Sequence, residues 1–179
     1  MIYLFLANGI EEIEALAPLA LLRRAGLEVT TVGIGSEPVC GAHGITVPAA
    51  IPAGMFAAPA PDMLLLPGGM PGSKHLDESR TVDSALRAAA RRGALIAAIC
   101  AAPMVLGRRG LLQGKEAICF PGFEKELAGA RISNKRVVRD GNIITAAGMG
   151  VAVEFGLALV AALKGDAAAE ELRRAILAD

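Results

Sequence analysis

Cys100 closes the apolar run Leu95–Ile99 and precedes Ala101-Ala102-Pro103. A cysteine where a buried strand turns into a helix stands at the carboxyl edge of an α/β sheet, where open sheets of this kind bind ligands. Hydrolases present a nucleophilic serine on such a turn and need small neighbours to make it. Ala97, Ala98, Ala101 and Ala102 meet that need. Free N–H groups of a helix beginning near Ala101 would stabilise a thiolate and lower the thiol pKa. The competing reading is a buried, inert cysteine, the usual fate of a free thiol.

Glu14 is the second candidate. Three and four residues away along a helix stand Ile10, Glu11, Ala17 and Pro18, so Glu14 borders the apolar side. A carboxyl in apolar surroundings has a raised pKa and can hold a proton near neutrality. Glu11 and Glu12 are explained as first-turn acids favoured by the helix dipole. Glu14 read alone is also compatible with a partly solvated surface glutamate.

The third candidate is Pro67-Gly68-Gly69-Met70-Pro71-Gly72, directly after the apolar run Asp62–Leu66. Glycines there can turn backbone N–H groups towards a developing oxyanion; an ordinary turn needs the same residues. It is not a phosphate loop. Gly68 and Gly72 are one residue too close, Lys74 does not directly follow Gly72, and His75 stands where Ser or Thr would hold magnesium. Gly33-Ile34-Gly35 and Gly148-Met149-Gly150 each lack the third glycine of a dinucleotide fingerprint.

His43 lies in a turn-rich stretch and His75 near a helix start among polar residues; neither is near Cys100 in sequence and both read as solvated, although a Cys–His dyad can form in space. Cys40, Cys100 and Cys119 are widely spaced, with no CxxC pair. That gives no zinc pattern and no disulfide framework, and it suits a reducing, cytoplasmic setting. Cys40 and Cys119 read as structural or incidental.

The elements that must position these groups alternate strand and helix, the pattern of a mostly parallel sheet. Strands are expected at Ile2–Ala7, Leu27–Ile34, Asp62–Leu66, Leu95–Ile99 and Ala117–Phe120, and a hairpin at Arg136–Ala146 centred on Asp140-Gly141. Asn8 and Glu11 form a candidate capping box for a helix ending near Ala25. Further helices are expected at Val82–Arg92, from near Ala101 to about Arg109, and at Val151–Leu163 and Ala167–Leu177. Val39–Ala58 reads as turn-rich, a short hairpin plus irregular chain. Arg23-Arg24, Arg91-Arg92 and Arg108-Arg109 each shortly precede a glycine, as cations in a last helical turn do.

The 179 residues suit one domain spanning 1–179, and 54% hydrophobic content rules out disorder. Lys plus Arg and Asp plus Glu number 18 each, and aromatics are 3%. Neither nucleic acid nor an anionic membrane is therefore expected as partner. The longest charge-free span, Pro38–Pro61, is cut by five prolines and cannot be a membrane helix. The N-terminus has no basic segment of the secretory kind.

Together the three candidates resemble one family. Ala7-Asn8-Gly9-Ile10-Glu11-Glu12-Ile13-Glu14, Arg23-Arg24-Ala25-Gly26, Leu66-Pro67-Gly68-Gly69 and Leu95–Pro103 are similar, in order and spacing, to the ThiJ/PfpI family and its branch of parkinsonism-associated DJ-type proteins. Gly148-Met149-Gly150 leading into Glu154-Phe155 adds to the likeness. The resemblance implies a flavodoxin-like α/β sandwich of the class I glutamine amidotransferase type, a homodimer and no cofactor or metal. It makes Cys100 the reactive, oxidisable cysteine, Glu14 its acid partner, and the N–H groups of Gly69 and Ala101 the oxyanion site. Gly68, Phe120, Pro121 and Gly148 would line the pocket for a small carbonyl substrate.

Three departures bear on function. Phe120 stands where many members have histidine. Ala101 replaces the histidine that follows the nucleophile in the peptidase-like branch, which weakens an amidase reading. Ala147 replaces an arginine found in some relatives. The expected activity is glyoxalase or deglycase chemistry on reactive dicarbonyls. The rival is an oxidative-stress sensor or chaperone-like protein using an oxidisable cysteine.

Overall fold

The computed structural model describes residues 1–57 and 60–178. Its centre is a seven-stranded sheet. In chain order the strands are β1 (Ile2–Ala7), β2 (Val29–Ile34), β3 (Val39–Cys40), β4 (Thr46–Val47), β5 (Ile51–Pro52), β6 (Met63–Leu66), β7 (Leu95–Ile99), β8 (Glu116–Ala117), β9 (Arg131–Ile132), β10 (Val137–Asp140) and β11 (Ile143–Ala146). The sheet runs β10-β11-β7-β6-β1-β2-β5, parallel throughout except for the antiparallel β10–β11 edge. Every residue of β1 and β6 is buried, as strands covered on both faces require. β3–β4 and β8–β9 are separate two-stranded pairs.

The helices are α1 (Glu12–Arg24), α2 (Gly72–Glu78), α3 (Arg80–Arg92), α4 (Pro103–Gly107), α5 (Ala152–Lys164) and α6 (Asp166–Ala175). α1 packs on α5 and α5 on α6; α2 lies against β1, and α3 against β6 and β7. This is the flavodoxin-like α/β sandwich. Gly156 lets α5 close on α1: a methyl there would stand 2.6 Å from Leu21 Cδ1 and 3.2 Å from Pro18 Cα. Among the described residues no helix is long and apolar enough to cross a membrane.

Several local expectations need correction. Asn8 is not the helix cap; its Oδ1 accepts the Cys40 N–H at 2.9 Å, and α1 starts at Glu12 behind Glu11, whose side chain caps nothing. The chain turns earlier than the pattern suggests because Gly9, at φ +84°, closes a turn onto β1 and hands the Glu11 N–H to Gly68 O at 2.9 Å. The helix after Cys100 is a single short piece, with turns running on to Gly114. Gly107 packs closely on Glu126 O, which a methyl there would meet at 2.1 Å. α2 was not expected at all, since Pro71 and Gly72 read as loop residues. Of Ala117–Phe120 only Ala117 pairs as strand, in β8. The hairpin forms one residue later than expected, with Gly141 at φ +62° in its turn. In the turn-rich stretch, Ile51–Pro52 extends the main sheet beside β2; Ala58 lies outside the described residues.

Candidate active site

Cys100 follows the last residue of β7 with φ +64°, in the left-handed region that a residue with a Cβ rarely enters. The conformation costs on the order of 1 kcal/mol and is held by neighbours on both sides. The Cys100 N–H donates to Ala146 O at 2.9 Å, continuing the β7–β11 ladder, and its carbonyl accepts the Phe120 N–H at 2.8 Å. The turn leaves the thiol half-buried rather than sealed in the core.

The backbone N–H groups of Gly69 and Ala101 lie near enough to the Cys100 sulfur to favour its ionised form. Their origin corrects the electrostatics expected from the sequence. α4 begins only at Pro103 and is five residues long. The positive end facing sulfur is therefore not a helix terminus but two individual amides, one from the Cys100 turn and one from the β6–α2 loop. Gly69 points its amide there because it sits at φ +85° with its Cα pressed on the α1 entry. A methyl on it would lie 2.2 Å from Glu11 N and 2.6 Å from Ile10 C, so glycine is required.

Glu14, in the first turn of α1, is fully buried. Its Oε2 accepts the Gly68 N–H at 3.0 Å. Its Oε1 is buried without a well-aligned partner among the described residues, and the Cys100 thiol is the polar group the carboxyl reaches. Gly68 is the gap in which acid and cysteine meet: a methyl there would be 2.4 Å from Glu14 Oε2 and 2.5 Å from Cys100 Cβ.

Burial pushes Glu14 up to about 7, against the opposing hydrogen bonds of Cys100 and Gly68. Burial, then the Glu14 carboxylate beside it, push the Cys100 thiol up to about 12, while the Gly69 and Ala101 amides pull it down. The second value therefore belongs to a thiol facing an ionised Glu14. Moving the proton to Glu14 removes the carboxylate's part. Negative charge on sulfur then has two N–H donors and the carboxyl O–H; on Glu14 it has Gly68 N–H and a weakly donating thiol. A thiolate is therefore best stabilised when its proton sits on Glu14.

The two histidines lie elsewhere. His75 Nδ1 pairs with Asn8 O at 2.8 Å, and His43 Nδ1 lies 2.8 Å from Glu12 Oε2. Neither provides a Cys–His dyad within this chain. Cys40 is exposed beside Gly41 O, and Cys119 is buried, its thiol pushed up to about 11 by that burial. Glu12, expected only to favour a helix dipole, takes N–H bonds from His43 and Ile45 and holds the 41–45 loop. Glu11, Glu12 and His43 form the acid–histidine grouping compact enough for a cation. Glu12's oxygens are already committed to that loop.

A geometry of half-buried cysteine, buried glutamate and two converging amides does not by itself name a family. The DJ-1/PfpI family profile does, matching residues 1–162. The chain belongs to the DJ-1/PfpI family. Protein dj-1beta of Drosophila melanogaster is 37% identical over 175 residues, covering 96% of this chain and 94% of that protein. The Caenorhabditis elegans protein named glutathione-independent glyoxalase DJR-1.2 is 32% identical over 156 residues, covering 87% and 83%. Among solved structures, oxidized Toxoplasma gondii DJ-1 superposes with a TM-score of 0.94 at 32% identity, over 98% of this chain and 97% of that one.

The remaining expected pocket residues of this DJ-1/PfpI chain sit on one side of the sulfur. A methyl on Gly148 would be 3.2 Å from Phe120 Cδ2 and 4.0 Å from Cys100 Sγ. Phe120, Pro121, Ala147, Gly148 and Met149 line an open surface recess of about 350 Å³, with Arg136 at its side. Arg136 carried no signal in the sequence, because its approach depends on how the β10–β11 edge is placed.

Proposed function

We propose that the protein converts small reactive dicarbonyls to hydroxy acids without a cofactor, as in methylglyoxal to lactate. The observation carrying this is the buried Glu14 facing a cysteine whose sulfur has two backbone N–H groups close by. Sulfur attacks the aldehyde carbon, a C–S bond forms, and the carbonyl π electrons move to oxygen, which the Gly69 and Ala101 amides are placed to stabilise. Glu14 first gives the thiol's proton to that oxygen, completing the hemithioacetal; the aldehyde hydrogen then leaves C1 as a proton to the freed Glu14 carboxylate, which delivers it to C2, while the C1 hydroxyl proton passes to the C2 oxygen. C1 is oxidised to a thioester while the neighbouring ketone is reduced to an alcohol. Water cleaves the thioester, giving the hydroxy acid and restoring the thiol. Glu14 must serve as acid and base in turn, a role suited to a carboxyl near 7. The relative named as a glutathione-independent glyoxalase supports the reaction class.

Lactate release from methylglyoxal by wild type, Cys100→Ala and Glu14→Ala tests this. Loss in both variants is expected; equal activity in all three overturns it. A second reading has its own support, the half-exposed thiol beside a carboxyl able to donate a hydrogen bond to an oxidised sulfur. Two equivalents of peroxide would take Cys100 to sulfinic acid, releasing two waters. A selective gain of two oxygens on the Cys100 peptide without dicarbonyl turnover favours that reading. We also propose a second copy of this chain as partner. Ile13 and Leu16 on α1 are exposed and apolar, and nearby Ile45, on the loop held by Glu12, is 54% exposed; a monomeric mass in solution contradicts it.

A further inference from the structure

We infer that Phe120 and the open recess beside it form a subsite for an aromatic or bulky apolar substituent on the aldehyde, so that aryl glyoxals are turned over in preference to smaller or charged dicarbonyls. The inference rests on the dicarbonyl reading above and specifies its substrate.

Three observations carry it. Phe120 is 48% exposed although its backbone is fixed, its N–H on Cys100 O at 2.8 Å and its carbonyl taking the Phe123 N–H at 3.1 Å. A single exposed phenylalanine is ordinary. This one borders an open recess of about 350 Å³ whose other sides include Pro121, Ala147, Val151 and Met149, itself 49% exposed. Apolar surface assembled around a recess has the composition of a ligand site.

Gly148 joins that recess to the reacting atom. A methyl on it would touch the Phe120 ring at 3.2 Å and stand 4.0 Å from Cys100 Sγ. The missing side chain therefore leaves a short path from sulfur to ring. A substituent one bond from the attacked carbon would enter it. An aryl group there gains both buried area and edge or offset contact with Phe120.

The charge on the wall is already matched. Arg136 Nε pairs with Glu154 Oε2 at 3.0 Å and Nη2 with Gly150 O at 3.2 Å. A substrate carboxylate or phosphate would meet Glu154 together with Arg136, so the cation does not favour an anion. Ala147 adds no second cation.

The test compares wild type, Phe120→Ala and Phe120→Leu, each first checked for an unchanged thermal midpoint. Two ratios are read. One is kcat/KM for phenylglyoxal over methylglyoxal. The other is the rate of Cys100 alkylation by phenacyl bromide over iodoacetamide, each relative to glutathione and read on the Cys100 peptide. In both reagents sulfur displaces halide, and the thiol proton leaves to Glu14 or solvent. Wild type is expected to favour the aryl compound in both ratios. Phe120→Ala should lower each about tenfold, and Phe120→Leu, which keeps an apolar wall, about threefold. Ratios unchanged in both variants overturn the subsite. Turnover of no dicarbonyl with a Phe120-dependent alkylation ratio overturns the dicarbonyl reading and leaves the subsite standing.

Discussion

Glu12 and Glu14 are two residues apart in the first turn of α1, both nearly or fully buried, and their carboxyls are driven in opposite directions. Burial pushes each upward. Glu12 answers with the His43 ring and the N–H groups of His43 and Ile45, which outweigh burial and hold it at about 2. Glu14 has one backbone N–H and a thiol, and stays near 7. A glycine faces each acid: Gly41 opposite Glu12, where a methyl would be 2.2 Å from Oε1, and Gly68 opposite Glu14. The difference is one of donors rather than depth. A buried carboxyl given enough donors becomes a fixed anion that fastens a loop; one left short of donors becomes a proton store.

The widest gap between them should appear in catalysis. Glu14→Gln is expected to lower kcat for methylglyoxal about a thousandfold, since an amide cannot relay the proton, whereas Glu12→Gln should leave it within about threefold. Steady-state kinetics on both variants checks this, and equal losses would erase the distinction. Next in size, Gly68→Ala forces its methyl against Glu14, Cys100 and Ile99 O, atoms that cannot retreat together. A stability loss of about 3 kcal/mol is expected. Gly41→Ala meets only the Glu12 side chain and should cost about half as much. Denaturant unfolding of the two variants measures the ratio.

The pH dependence of stability should carry opposite slopes. Glu14 binds its proton more tightly folded than unfolded. Its contribution is complete below its ordinary value of 4.5 and is lost as pH rises to about 7, on the order of 3 kcal/mol. Glu12 binds its proton less tightly folded. Its contribution is present above 4.5 and lost as pH falls towards 2, on the order of 2 kcal/mol given the exposed His43 partner. Unfolding free energies from pH 2 to 8 for wild type, Glu14→Gln and Glu12→Gln separate the two. A Glu14→Gln variant that keeps the wild-type decline between 4.5 and 7 would assign that slope to another group.

The sequence made much of this visible. The apolar runs of β1, β6 and β7 leave little choice but buried parallel strands, and small residues around Cys100 forecast its turn. Glu14 stood out because, Glu11 aside, its helical neighbours Ile10, Ala17 and Pro18 are apolar. What stayed hidden depends on contacts between distant segments. Nothing near Gly69 announces that its amide meets a sulfur 31 positions on, or that Gly68 is where Glu14 and Cys100 converge. Asn8 looked like a cap because capping is local; its real partner is Cys40, across a loop. α2 was missed because proline and glycine at its start have the same signature as a turn. The thiolate was assigned to a helix terminus that α4, five residues long and starting at Pro103, does not supply.

The central claim is that Cys100 becomes nucleophilic by passing its proton to Glu14. The rate of Cys100 alkylation by iodoacetamide, followed from pH 5 to 10 on its own peptide, tests it most directly. The shared proton predicts a rise that levels off near or below pH 7, where the pair loses its first proton. A rate still climbing tenfold per pH unit through pH 9 would place the proton on sulfur and contradict the account.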